Sequence, residues 1–136
     1  MYKKIIVPVD AAHPDPAPTM LEAARKVSDP DSVITLLSVV EALPAYITAQ
    51  VPGNYEHEAK AFARQELERI AKEATVPTEI DIRVGRASQV ILDVAREKGA
   101  DAIVIASHRP DLSDYFLGST AARVVRSAKC TVLVIR

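Results

Sequence analysis

The sequence predicts an α/β protein, a single three-layer α/β/α sandwich around a five-stranded parallel sheet. Three observations predict it. Five short runs rich in valine and isoleucine alternate with segments of helical period. Four of those runs are nearly continuous in apolar residues, as strands covered on both faces are. The 136 residues suffice for one core but not for two, so residues 1–136 read as one domain. Strict alternation of strand and helix builds a parallel sheet through right-handed crossovers.

The elements follow in order. "KIIVPV" (4–9) is the first strand. "DAAHPDPAP" (10–18) then holds off a helix, because Pro14, Pro16 and Pro18 stiffen the turn. "PTMLEAARKVS" (18–28) is helical, with Leu21, Ala24 and Val27 on one side. "SVITLLSVV" (32–40) is the second strand, and "EALPAYITAQVPGN" (41–54) is a long connection without clear period. "YEHEAKAFARQELERIAKEA" (55–74) repeats Ala59, Phe62, Ala63, Leu67 and Ile70 at helical spacing, with charges opposite. "TEIDIRV" (78–84) alternates Ile80, Ile82 and Val84 with Glu79, Asp81 and Arg83, the pattern of an edge strand with one wet face. In "SQVILDVAREKG" (88–99), Ser88 is the expected N-cap and Gly99 the stop. "DAIVIAS" (101–107) is the fourth strand. "STAARVVRSAK" (119–129) is the last helix, with Ala122, Val125 and Ala128 as its expected buried stripe, and "TVLVIR" (131–136) closes the sheet.

Composition excludes several functions. Hydrophobic residues are 49% of the chain and charged residues 26%, an ordinary globular balance. A net charge of −1 with no basic stripe argues against nucleic acid or a membrane surface as partner. No apolar run approaches the ~18 residues of a membrane span. "MYKKIIVPVD" enters a strand directly, without a leader pattern, so a cytoplasmic location is expected. The single cysteine, Cys130, lies in the apolar "AKCTVLVIR" and reads as a small hydrophobe. Neither a disulfide nor a zinc cluster can be built, and no metal ligand set is expected.

The chemistry belongs beyond the carboxyl ends of the strands. In the order 3-2-1-4-5, the crevice opens between the first and fourth strands. It gathers "PVDAA", "VVEA" and the turn "ASHRPDLSDYFLGST". Gly118, Ser119 and Thr120 open a helix whose first N–H groups and dipole suit phosphate oxygens, although a serine or threonine there can equally serve as a plain cap. Asp10 ends the first strand; its carboxylate can take a ribose hydroxyl or simply close a turn. Past the fourth strand, His108 and Arg109 offer a cationic fork to phosphate, or a solvated loop. His13 and His57 read as surface residues. No catalytic residue is assigned, since a Walker lysine and an acidic metal pair are both missing from the sequence.

"YKKIIVPVD", "GRASQVILDVAREKGADAIVIASH" and "LGSTAARVVRSAKCTVLVIR" together resemble the universal stress protein family over essentially the whole chain. The resemblance implies the Rossmann-like fold of the adenine nucleotide alpha-hydrolase type, and ATP, with or without Mg, in the crevice. The ATP-binding branch carries Gly-x-x-Gly, nine residues, then Gly-[Ser/Thr]. Here Ala106 and Arg109 stand at the two glycines, and eight residues separate Arg109 from an intact Gly118-Ser119. "ASHRPDLSDYFLGS" is similar to the His-Arg-Pro variant of the enterobacterial F and G branch.

Carried over by position, the resemblance implies Pro8, Val9 and Asp10 at the adenine or ribose end and Val39 as an apolar wall. It places Ala106, His108 and Arg109 along the ribose and phosphates, with Gly118, Ser119 and Thr120 as the phosphate cradle. It also implies a homodimer through strand 131–136, with higher oligomers and an unidentified protein partner left open. The function implied is a stress or signalling protein acting by nucleotide-dependent conformation or assembly. Two alternatives stay open: a nucleotide-free dimeric interaction module, and a slow ATPase or autophosphorylating protein.

Overall fold

In the computed structural model, residues 1–107 and 117–136 are described. The strands are β1 (Tyr2–Pro8), β2 (Ser28–Glu41), β3 (Thr78–Gly85), β4 (Ala102–Ala106) and β5 (Thr131–Ile135). The helices are α1 (Ala17–Val27), α2 (Ala45–Thr48), α3 (Tyr55–Glu73), α4 (Ala87–Lys98) and α5 (Ser119–Ser127). The five strands form one parallel sheet in the order β3-β2-β1-β4-β5, as the alternating pattern predicts.

Two cores result from the alternation of side chains across the sheet. Ile5, Val7, Ile34, Leu36 and Val104 face α1 and α3, where Met20, Ala24, Leu67 and Ile70 meet them. Ile6, Leu37, Ile103 and Ile105 face α4 and α5, where Ile91, Val94, Ala121 and Val124 meet them. Both faces of the central strands are therefore covered, which is why their sequences carry no polar alternation. Asp101 aligns β4 on β1. Its carboxylate accepts the N–H groups of Lys3 and Lys4 at 3.0 Å, and its own N–H donates to the Lys4 carbonyl at 2.9 Å.

Four local expectations change. The inward residues of α5 are Ala121 and Val124, while Val125 is 45% exposed. Likewise Ala63, Leu67 and Ile70 bury one face of α3, and Phe62 is left 49% exposed. In both helices two adjacent apolar residues fit the period, and packing selects the second of one pair and the first of the other. Ser88 is not the N-cap of α4; Arg86 occupies that position in extended conformation, and Ser88 is buried in the first turn. The connection 41–54 contains one turn of helix, α2.

Other expectations hold. α4 stops at Gly99, whose φ of 65° is left-handed. The Ala100 N–H donates to the Ala95 carbonyl (2.8 Å) and the Gly99 N–H to Arg96 (3.2 Å), the paired bonds of a glycine-terminated helix. β3 lies at an edge of the sheet. Among the described residues, no helix is long and apolar enough to cross a membrane.

Candidate functional site

The carboxyl ends of β1, β2 and β4 open into a cavity of about 490 Å³, within the range of small-molecule sites. Pro8, Val9 and Asp10 line it from the end of β1, Val39 from β2, and Ala106 from β4. Gly118, Ser119 and Thr120 line it from the head of α5. Eight of the ten residues expected from sequence thus share one cavity. The other two, His108 and Arg109, lie outside the described residues.

Asp10 serves a turn and keeps capacity for a ligand. Its Oδ1 accepts the Ala12 N–H at 3.0 Å, and its carbonyl accepts the His13 N–H at 2.9 Å. This is the side-chain turn an aspartate makes at a strand end. Oδ2 takes no part in it and sits on an exposed residue at the cavity. The two readings of Asp10 are therefore compatible.

The head of α5 differs from expectation in one bond. The Gly118 N–H is spent on the Ser107 carbonyl, at 2.6 Å, closing the base of the turn between β4 and α5. The Gly118 carbonyl accepts the Ala122 N–H at 2.8 Å, which begins the helix. Three N–H groups, those of Ser119, Thr120 and Ala121, stand at the positions that have no acceptor within a helix. Gly118, which has no side chain, stands at the N-cap of α5, so neither Ser119 nor Thr120 is its capping residue. The N–H groups left without a helical acceptor thus begin one residue further into the helix than Gly118.

A second helix borders the same space. α4 also starts without a side-chain cap, and its first residue, Ala87, lines the cavity. The first residues of two helices therefore line one cavity whose remaining walls are largely apolar. Leu37, Ile91, Ile105 and Ala121 come from the α4/α5 side of the sheet, and Pro16, Ala17 and Met20 from α1. Sequence reasoning missed this second wall. The strand ends are named by topology, but which helix residues lean over them depends on how α1 and α4 pack.

Glu41 and Ser107, which lie in segments the topology gathers at the crevice, also line the cavity, as does His13. The sequence places His13 on the surface; it is exposed, yet it lines the cavity because the Asp10 turn carries it there. Its place three residues past a strand-end aspartate, in a proline-stiffened turn, was the available signal. His57 is exposed on α3, as expected. Cys130 is half-buried against the α4/α5 core. Burial, and then the nearby Asp101 carboxylate, push its thiol up, away from the reactive thiolate. Among the described residues, no group of three or more His, Cys, Asp or Glu side chains could hold a metal ion.

Comparison with known proteins follows this geometry. The sequence model of the universal stress protein family matches residues 1–136. Universal stress protein G of Escherichia coli O157:H7 is 32% identical over 142 residues, spanning 100% of both chains. Among solved structures, the hypothetical protein MJ0577 superposes with a TM-score of 0.84 at 25% identity, covering 99% of this chain and 96% of its own. A universal stress protein from Archaeoglobus fulgidus, solved in complex with dAMP, superposes with a TM-score of 0.65 at 22% identity, covering 99% and 98%. That last likeness is one of fold.

Proposed function

We propose that this chain, which belongs to the universal stress protein family, binds ATP in the crevice and acts as a homodimer through nucleotide-dependent conformation or assembly. The observation that carries the reading is the pair of uncapped helix heads, α4 and α5, at one apolar-walled cavity beside Asp10. Unpaired N–H groups and two positive dipole ends suit phosphate oxygens. Pro8, Val9 and Val39 give the base an apolar seat, and Asp10 Oδ2 accepts from a ribose hydroxyl. The N–H groups of Ser119, Thr120 and Ala121, with the two hydroxyls, take the phosphates. Ala106 is small enough to leave the chain's approach open.

The dimer rests on β5, whose Val132, Leu133, Val134 and Ile135 are apolar and partly exposed at the sheet edge. Such an edge invites pairing with a second copy.

Freshly purified protein, heat-denatured and chromatographed for released nucleotide, tests the reading; near-stoichiometric ATP is expected. In calorimetry, Gly118→Val should weaken ATP at least about tenfold, ~1.4 kcal/mol, by placing a branched side chain at the cradle. The fold should be spared, because the Gly118 φ of −56° and ψ of 154° suit any residue. No released nucleotide, together with no thermal shift on adding ATP and magnesium, would leave a nucleotide-free interaction module.

A further inference from the structure

Residues 43–54, between β2 and α3, are tied to the rest of the protein only at their ends. Among the described residues, the last long-range bond before them runs from the Ala42 N–H to the Gly85 carbonyl, at 3.4 Å. Beyond it the backbone bonds stay local. Ile47 and Thr48 donate to the Pro44 carbonyl, Gln50 to Ile47, and Tyr55 to Pro52. No residue of the segment is buried. Leu43, Tyr46, Ile47 and Val51 join neither core, and Tyr46 is 73% exposed. The turn after β1 is the contrast: Val9 and Ala11 are buried there, and the Val9 N–H donates to the Leu37 carbonyl at 2.8 Å. Unburied apolar side chains and purely local bonds put 43–54 at the low end of local stability.

The segment is rooted at the cavity. Leu37, Val39 and Glu41 alternate along one face of β2, and all three line it. The row that walls the crevice thus runs directly into Ala42. β1 separates β2 from β4 in the sheet, so this root stands on the Val39 side, away from the turn that leaves β4 for α5. Between Glu41 and Tyr46 the chain spans at most ~17 Å, enough to cross a purine. Pro44 precedes α2 and Pro52-Gly53 follows it, with open space around Gly53. A few such flanking residues are what a moving element turns on.

Resting on the reading of this crevice as an ATP site, we propose that residues 42–54 form a strap that closes over the base of the bound nucleotide, with Tyr46 as its covering side chain. A base seated on Val39 has one face against the wall and the other toward water. Small-molecule sites bury ~70–90% of their ligand's surface, and an aromatic ring is the side chain that stacks on any base. Closure takes Tyr46 and that open face out of water together, and the apolar area so buried drives it. Because the strap's own bonds are local, it moves without breaking any but the long Ala42–Gly85 contact. The nucleotide-dependent change of conformation is then a local one, at the end of β2.

The chain has no tryptophan, so Tyr46→Trp places a single indole on the strap. Its emission should change on titration with ATP and with adenosine, at the midpoints calorimetry gives, and should not respond to inorganic triphosphate. In wild type, hydrogen exchange of the amides in 43–51 should slow when ATP binds. Tyr46→Ala should weaken ATP and adenosine by the same factor, about tenfold, while Tyr46→Phe binds both as wild type does. ATP binding in calorimetry with unchanged emission and unchanged exchange overturns the strap and leaves the ATP site standing. So does a Tyr46→Ala variant that binds ATP and adenosine as tightly as wild type. No binding of ATP or adenosine by wild type overturns the reading of the crevice, and the strap with it.

Discussion

Along β3, at one edge of the sheet, every second side chain is charged, whereas along β5, at the other, four consecutive residues are apolar. The Arg83 guanidinium on β3 lies 3.0 Å from Asp81 and 2.9 Å from Glu97 of α4, and its pairing with both raises its proton affinity further. Lys98, also of α4, stands 3.8 Å from Glu79 and from Asp81. The end of α4 thus reaches over the wet face of β3 and binds it with ions. Among the described residues no ion pair covers β5 in this way, and its first charge after Thr131 is Arg136. Charged side chains on an edge strand discourage a second sheet from pairing; their absence leaves the backbone open. The two edges teach that a sheet can direct assembly by protecting one side as much as by exposing the other.

The largest effect is expected from breaking the bare edge. The Ile135 carbonyl accepts the Ser107 N–H at 2.8 Å, so the backbone groups of Ile135 face β4. Those of Val134 then face outward, because successive peptide groups of a strand alternate. Val134→Pro removes an outward donor and leaves the β4 ladder intact, and edge strands accept proline. Twofold symmetry counts the loss twice. The proposed dimer should weaken by about 2–3 kcal/mol, roughly a hundredfold in dissociation constant. Sedimentation equilibrium reads this directly; an unchanged dimer would move the interface off β5.

Gly85 closes the protected edge, and its conformation is the most constrained on that side. Its φ is 152°, and a Cβ added there would meet Val90 Cγ2 at 2.8 Å. Gly85→Ala should cost about 1–3 kcal/mol, with β3 and the head of α4 taking the strain together. Urea denaturation checks it: a loss below about 0.5 kcal/mol, the range of an ordinary surface substitution, would mean that the turn relaxes freely.

This contrast was legible in the sequence where burial alone writes the pattern. "TEIDIRV" shows a strand with one wet face, and "AIVIA" shows one covered on both. Strand ends then follow from topology, which points to Asp10, while Val39 and Ala106 follow from the family resemblance. What packing decides was not legible. Val124 and Val125 are equivalent to a helical period, and only contact with Ile103 and Ile105 on the sheet selects the first. Nor does sequence reveal that the Gly118 N–H is spent on Ser107, or that α4 delivers a second uncapped head to the cavity. Those are consequences of chain closure, with no residue type as their signature.

The smallest effect lies in the ions themselves. Arg83→Gln breaks the pairs to Asp81 and Glu97 and leaves Lys98 alone against three carboxylates. The side chain is about a third exposed (34%), so water already screens much of the attraction. The expected loss is only about 0.2–1 kcal/mol, shrinking as salt is raised. A double-mutant cycle with Glu97→Gln measures the coupling, which should fall in the same range. If β3 is guarded by charge, Arg83→Gln should also increase concentration-dependent association beyond the dimer, and Arg83→Lys should not. Equal self-association in both variants would assign the protection of this edge to its backbone and helix cover rather than to its ions.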